Sequence, residues 1–360
     1  MAAASGRTGG GVALRLPILA LGAVALLTGL AGGLGRLAVP VPIIPGALAA
    51  HGALLVSGFF GTVITLERAV AVGGSFALLA PLVSGVAGIA VAAGWHGAAW
   101  LLVAASLGLT LLSLVILRRQ FALHTALLAV AALAWVAGNA LFAAGARLDA
   151  VVGGWFAFLV LTIAAERLEL TRLMRRRASA TPLLLAIVAW LLAAACALVG
   201  GFAQAYVAYG SALVALAAWL LTFDLARRTV RTQGVARYAA VALLTGYGWL
   251  AAGGCAFAAL PFVPALRDLA LHAIGLGFVL SMVFAHAPIV VPVIARRPVV
   301  YTPLLYVPLA LLHGSLLLRV GPGSLDIAWR QAGSVGNALA IVVFAVVLVR
   351  AMRRRAAGGR

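Results

Sequence analysis

GAAWLLVAASLGLTLLSLVILRRQFALHTALLAVAALAWVAGNALFAA, residues 97–144, is two apolar runs parted by Arg118-Arg119-Gln120. A helix needs about 20 apolar residues to cross a hydrocarbon core of about 30 Å. Each run meets that length, so the segment reads as two membrane spans turned at a pair of arginines. Arginine between spans carries further meaning, because loops on the cytoplasmic side of a membrane attract it.

Runs of the same kind fill the rest of the chain, at 14–35, 48–66, 75–95, 151–166, 181–200, 204–224, 237–260, 268–294, 301–319 and 329–350. The first follows Arg7 and Arg15 in the manner of a signal peptide. It is long, lacks a small-residue cleavage site and leads into further spans, so it counts as a helix. The short link Trp95-His96-Gly97 suits a tight helical hairpin. Composition agrees: the chain is 65% apolar and 9% charged, against about 45–50% and about 25% for a soluble domain. A soluble core cannot bury so much apolar surface and still leave a polar exterior. The expectation is an all-α, polytopic membrane bundle of about twelve transmembrane helices forming one integral membrane domain, residues 1–360.

The basic residues set an orientation. There is no lysine, and arginine carries the whole net charge of +19. With twelve spans and the N-terminus inside, only Arg36, Arg147, Arg267, Arg319 and Arg330 of the 26 arginines fall outside. Both termini are therefore expected in the cytoplasm, with the chain in a bacterial inner membrane. A strongly basic chain ordinarily points to nucleic acid. Clusters that alternate with apolar runs point to topology and anionic lipid instead. Cys196 and Cys255 sit inside apolar runs with no metal spacing and read as small buried hydrophobes.

Polar side chains at bilayer depth are costly and mark function by default. Orientation divides the histidines: His51, His272 and His313 lie towards the outside, His286 and His124 towards the inside, and His96 in an outer turn. His272 and His286 stand 14 residues apart on one run, roughly 21 Å along a regular helix and about 40° off one stripe. That spacing lets one helix offer imidazoles at two depths, and neutral imidazole is a common iron ligand. The plainer reading of each is a hydrogen-bonded packing residue. Met282 reads as an axial ligand or, more simply, as a core gap-filler. Runs 2 and 6 both close on a Glu-Arg pair, Glu67-Arg68 and Glu166-Arg167, and run 10 ends at the same face with His286-Ala287-Pro288. Such a pair anchors a helix end or holds an anionic group. Equivalence of runs 2, 6 and 10 suggests three arcs of four helices.

These features resemble the haem–copper oxidase subunit I superfamily, on His51-Gly52-Ala53-Leu54-Leu55-Val56-Ser57-Gly58-Phe59-Phe60-Gly61 and Leu271-His272-Ala273-Ile274-Gly275-Leu276-Gly277-Phe278. The layout is also similar to the NnrS family of twelve-helix proteins linked to haem, copper and nitric-oxide stress. The resemblance implies haem b clamped by His51 and His272, with His313 and His286 as further cofactor-binding candidates. It also implies a redox partner or respiratory subunit. The chain departs from the oxidases in having no histidine on runs 6 and 7 and Ile274 in place of a second histidine. The full copper site is therefore missing. Expected roles are electron transfer, sensing of NO or O2, or nitric-oxide stress handling. Two alternatives stay open. One is a cofactor-free transporter or channel using Pro288, Pro292, Asn139, Asn337, Tyr247 and Asp224. The other is a non-catalytic assembly subunit.

Overall fold

The computed structural model describes residues 9–42, 44–170, 178–295 and 298–353. Among the described residues twelve apolar helices follow one another: α1 Leu14–Gly35, α2 Pro45–Val72, α3 Phe76–Ala92, α4 Ala98–Arg119, α5 Leu123–Ala143, α6 Leu148–Leu170, α7 Ala180–Gly200, α8 Ala203–Phe223, α9 Gly234–Ala259, α10 Pro264–Pro292, α11 Pro303–Ser324 and α12 Ile327–Arg353. Eleven are long and apolar enough to cross a membrane, and α3 is the shorter one. No strand occurs among the described residues. Each apolar run of the sequence has become one helix of a polytopic all-α membrane protein. Of the arginines used for orientation, Arg7, Arg172, Arg175, Arg176, Arg177, Arg296, Arg297, Arg354, Arg355 and Arg360 lie outside the described residues.

Large apolar side chains stand exposed at mid-helix, among them Leu111 on α4 and Leu317 on α11, at 65% and 59%. Water would not tolerate that surface over so many helices, and lipid does. α6 differs: 94% of its most apolar window is buried, so its side chains meet protein all round.

By internal contacts the chain divides after Ala165 into two compact units. In the first, helices meet at glycine. A Cβ on Gly32 of α1 would sit 2.2 Å from the Ala47 carbonyl oxygen of α2, and one on Gly46 of α2 would sit 2.3 Å from that of Ala92 on α3. Small residues permit this approach, which substitutes for a hydrophobic drive that lipid cannot supply. The tight hairpin expected between α3 and α4 is present, with Gly94 and Gly97 at φ 71° and 78°, a region that favours glycine.

One buried polar hub crosses this unit. Asn139 of α5 accepts at Oδ1 from the Ser57 hydroxyl of α2 (2.7 Å) and the Trp155 indole of α6 (2.9 Å), and donates from Nδ2 to the Leu102 carbonyl of α4 (2.9 Å). Trp135 donates to Ser57 Oγ, and Ser84 of α3 donates to the Ser57 carbonyl. Five helices thus share one network with no exposed member at its centre. Asn139→Ala removes three bonds at once and strands buried donors, each worth about 1–3 kcal/mol when left unmade. A drop of about 3 kcal/mol in stability is expected, read by thermal melting of the protein purified in detergent. Unchanged melting would show that the hub is not holding these helices.

In the second unit α9 is the central partner, packing along α8 and α10 and meeting α11 at His313. Gly210 of α8 faces Gly254 and Ala258 of α9 backbone to backbone. α11 and α12 form a pair in which Asn337 Nδ2 donates to the Leu312 carbonyl and to Ser315 Oγ. Phe284 of α10 stacks on Phe344 of α12 at 3.9 Å and 8°.

Candidate functional site

Two helices break regularity in the same way. α2 turns into an eight-residue π-helix at Leu54–Gly61, and α10 does so at Ala273–Leu280. Such stretches are rare and cluster at functional sites. The residue at the entrance of the second is His272, and His51 stands three residues before the first. Ala50 just ahead of His51 leaves helical geometry, at φ −114° and ψ 25°. The glycines of both stretches and their histidines were legible in the sequence. The wider helical winding was not, since it has no side-chain signature.

Partner chemistry assigns the ring protons. His272 Nδ1 lies 2.9 Å from the Asp268 carbonyl oxygen and 3.2 Å from the Asp268 carboxylate. Arg319 of α11 grips that carboxylate with two bonds, Nε to Oδ2 at 2.9 Å and Nη2 to Oδ1 at 2.8 Å. Such a bidentate pair keeps the carboxylate ionised, so both neighbours of Nδ1 can only accept. Nδ1 therefore carries the proton, and the neutral ring keeps its lone pair on Nε2. A carboxylate behind an imidazole in this way orients the ring and raises its basicity towards a metal. Three residues further, a Cβ on Gly275 would meet nothing within 4 Å, so backbone beside His272 is open to a flat group.

His286 has the same tautomer by the same reasoning, because Nδ1 lies 2.7 Å from the Met282 carbonyl. Its Nε2 faces Glu166 Oε2 at 3.9 Å, a contact that a second ring proton would convert into an ion pair. His313 is the opposite case. An indole N–H only donates, and Trp249 Nε1 lies 3.0 Å from His313 Nδ1. The neutral ring therefore holds its proton on Nε2, which points at Thr245 Oγ1 (3.1 Å) and Ser281 Oγ (3.4 Å). Neither nitrogen is left with a lone pair for a metal in that arrangement. His51 packs its ring against Gly33 of α1. His124 is buried in the first turn of α5, and His96 is exposed in the α3–α4 turn. The Met282 methyl lies on Gly246 of α9, where it fills a gap. Among the described residues no three or more His, Cys, Asp or Glu side chains converge as a metal site.

Acidic and amide groups that the conduit reading would have lining a path are enclosed. Asn139 and Tyr247 are fully buried, Asn337 is 3% exposed, and each is hydrogen-bonded. Asp224 accepts from Arg167 Nε and Nη2 (3.1 and 2.9 Å) at Oδ1 and from the Tyr247 hydroxyl (2.6 Å) at Oδ2. The two Glu-Arg endings also differ: Arg68 stays within 3.6 Å of its neighbour Glu67, whereas Arg167 reaches Asp224. Cys196 and Cys255, expected to be buried, are exposed on α7 and α9, since each falls on the apolar outer stripe of its helix.

Fold and site together define a polytopic helical membrane protein with histidines set into irregular spans. The chain belongs to the DUF8744 family, a domain of unknown function, whose profile matches residues 15–353. No curated protein and no solved structure matches it.

Proposed function

We propose that the chain is a haem b protein of a bacterial inner membrane, with both termini cytoplasmic and His51 and His272 as the axial pair. The observation that carries this is the Asp268–His272 arrangement, which fixes the ring and leaves Nε2 as a ligand atom. The open backbone at Gly275 and the matching π-helices beside the two histidines support it. His286, in the same tautomer, is the candidate for a second haem. A bis-histidine haem would supply one-electron transfer, consistent with electron transfer to a redox partner or respiratory subunit, or with sensing and handling of NO or O2. The chain's own contribution is to hold the His272 imidazole, through Asp268, in the tautomer that leaves Nε2 as a ligand atom.

The reduced-minus-oxidised visible spectrum of the protein purified from haem-replete cells tests this. A Soret and α-band pair is expected, lost in His51→Ala and in His272→Ala. Asp268→Asn should weaken haem retention by about 10–100-fold, the usual cost of losing the group behind a metal-bound histidine. A folded, colourless wild-type protein would end the proposal.

A further inference from the structure

The buried Tyr238 hydroxyl of α9 has no hydrogen-bond partner. Tyr238 is fully enclosed, and an unpaired polar group inside a folded protein calls for a water, an ion or a function. Its surroundings are phenolic and cationic. The Tyr306 ring of α11 stands edge-on against it, 5.3 Å away at 90°. The Tyr301 and Tyr306 phenols are near enough to act electrostatically on that of Tyr238, and Arg237 on that of Tyr306. The Val300 amide donates to the Ala351 carbonyl at 3.2 Å. That bond ties the segment before Tyr301 to the end of α12, between Arg350 and Arg353. Arg237, Arg350 and Arg353 are exposed. Among the described residues the side chains of these three arginines, Tyr301 and Tyr306 make no hydrogen bond or ion pair. α9, α11 and α12 hold no acidic residue at all. The cluster therefore has donors and positive charge, and nothing of its own to accept them.

Depth selects the occupant. α9 has 26 residues and α11 has 22, about 39 and 33 Å of helix against a hydrocarbon core of about 30 Å. Tyr238 is the fifth residue of α9 and Tyr306 the fourth of α11. Both phenols thus stand where apolar chains give way to headgroups. Tyrosines at that level ordinarily form an aromatic belt, which accounts for the half-exposed Tyr301 and Tyr306. It does not account for Tyr238, whose hydroxyl is enclosed. The occupant must accept hydrogen bonds and be negative, because the arginines here have no carboxylate to meet. It must also carry an apolar part, since Leu304 and Val307 on either side of Tyr306 are 51% and 55% exposed. We propose that Tyr238, Tyr306 and Arg237 bind the phosphate of an anionic phospholipid. Tyr306, which no hydrogen bond holds, swings off its edge-on contact and opens the way to Tyr238. Phosphate oxygens then accept from both phenols and from the Arg237 guanidinium, a charge-assisted arrangement. Arg350 and Arg353 favour an anionic over a zwitterionic lipid, and the acyl chains cover Leu304 and Val307. This site needs neither haem nor a choice of which face is cytoplasmic.

Thermal melting of the full chain, delipidated in detergent and titrated with phosphatidylglycerol or phosphatidylcholine, tests it. For the wild type a saturable rise in melting temperature is expected, with phosphatidylglycerol effective at a several-fold lower concentration. Tyr238→Phe is the decisive variant. It removes one oxygen that bonds nothing in the protein alone, so without lipid it should melt no lower than the wild type. Yet it should weaken phosphatidylglycerol binding about tenfold, the worth of one hydrogen bond to a charged acceptor. Arg237→Gln should erase the preference for phosphatidylglycerol. Arg227→Gln, which alters another exposed arginine in the α8–α9 connection, should leave that preference in place. Inorganic phosphate at matched ionic strength should not displace the lipid, because it brings no acyl chains. Equal binding of the two lipids by the wild type would overturn the proposal, and so would displacement by inorganic phosphate, which marks a free-anion site. Loss of the preference in Arg227→Gln as well would reduce it to general surface charge. Lower lipid-free melting of Tyr238→Phe with unchanged lipid affinity would assign the hydroxyl to a buried water instead.

Discussion

Asp224→Ala is expected to destabilise the second unit by about 3–5 kcal/mol, the usual cost of stranding one partner of a buried ion pair. The Asp224 side chain is 1% exposed and that of Arg167 is 8% exposed, so neither charge has water to fall back on. Asp224 joins the end of α8 to α6 through Arg167 and to the interior of α9 through Tyr247. Its Oδ2 also lies 3.4 Å from the Ala226 amide, closing the turn into α9. Removal of the carboxylate leaves the guanidinium, the phenol and an amide to rearrange together. Tyr247→Phe should cost less, about 1.5–3 kcal/mol, because only one bond to a charged acceptor is lost. Joint replacement, Arg167→Met with Asp224→Leu, should recover much of the loss, since apolar groups of similar volume often replace a buried pair without penalty. Thermal melting of the three variants in detergent gives the order. Asp224→Ala melting within about 1 kcal/mol of wild type would mean that the pair is incidental.

That cluster shows where sequence reading stops. The apolar runs place every span, since lipid demands a continuous helix and tolerates little else. Run 14–35 lies inside a helix that extends from Gly9 to Gly35, and the Trp95-His96-Gly97 hairpin sits where its glycines require a turn. Side-chain partners are another matter. Arg167 reads as one half of a helix-ending pair with Glu166 because the two are neighbours in sequence, and Asp224 reads as one of a few polar groups within the spans that could line a path. Their pairing spans 57 positions and depends on how α6, α8 and α9 are packed, which no local pattern encodes. The same holds for His313. Depth marks it as functional, and depth alone makes it resemble His272. Only the Trp249 indole, 64 positions away, reveals that it is a donor rather than a ligand. Residue type and depth identify which groups need an explanation, and the explanation itself lies in the neighbour.

Gly210→Leu on α8 should produce the other large loss, about 3 kcal/mol or more, since overpacking costs about 1–3 kcal/mol where neighbours can yield and here they cannot. A Cβ at this position would lie 2.3 Å from the Gly254 carbonyl oxygen and 2.4 Å from the Ala258 nitrogen, and one at Gly254 would lie 2.7 Å from the Gly210 oxygen. All three atoms are helix backbone with no rotamer to change, so α8 and α9 must separate. Separation also pulls Tyr209 from Phe257, whose rings now meet at 4.9 Å. Membrane helices associate through such close packing rather than by exclusion of water, so the loss has no hydrophobic compensation. Gly248→Leu on the same helix α9 is the matched control: it adds the same side chain to open space and should melt close to wild type. Gly210→Ala should fall between the two, because one methyl already violates the contact. Equal melting of Gly210→Leu and Gly248→Leu would refute the close α8–α9 crossing. A large gap would show that α9 has one face committed to packing and another open at Gly248.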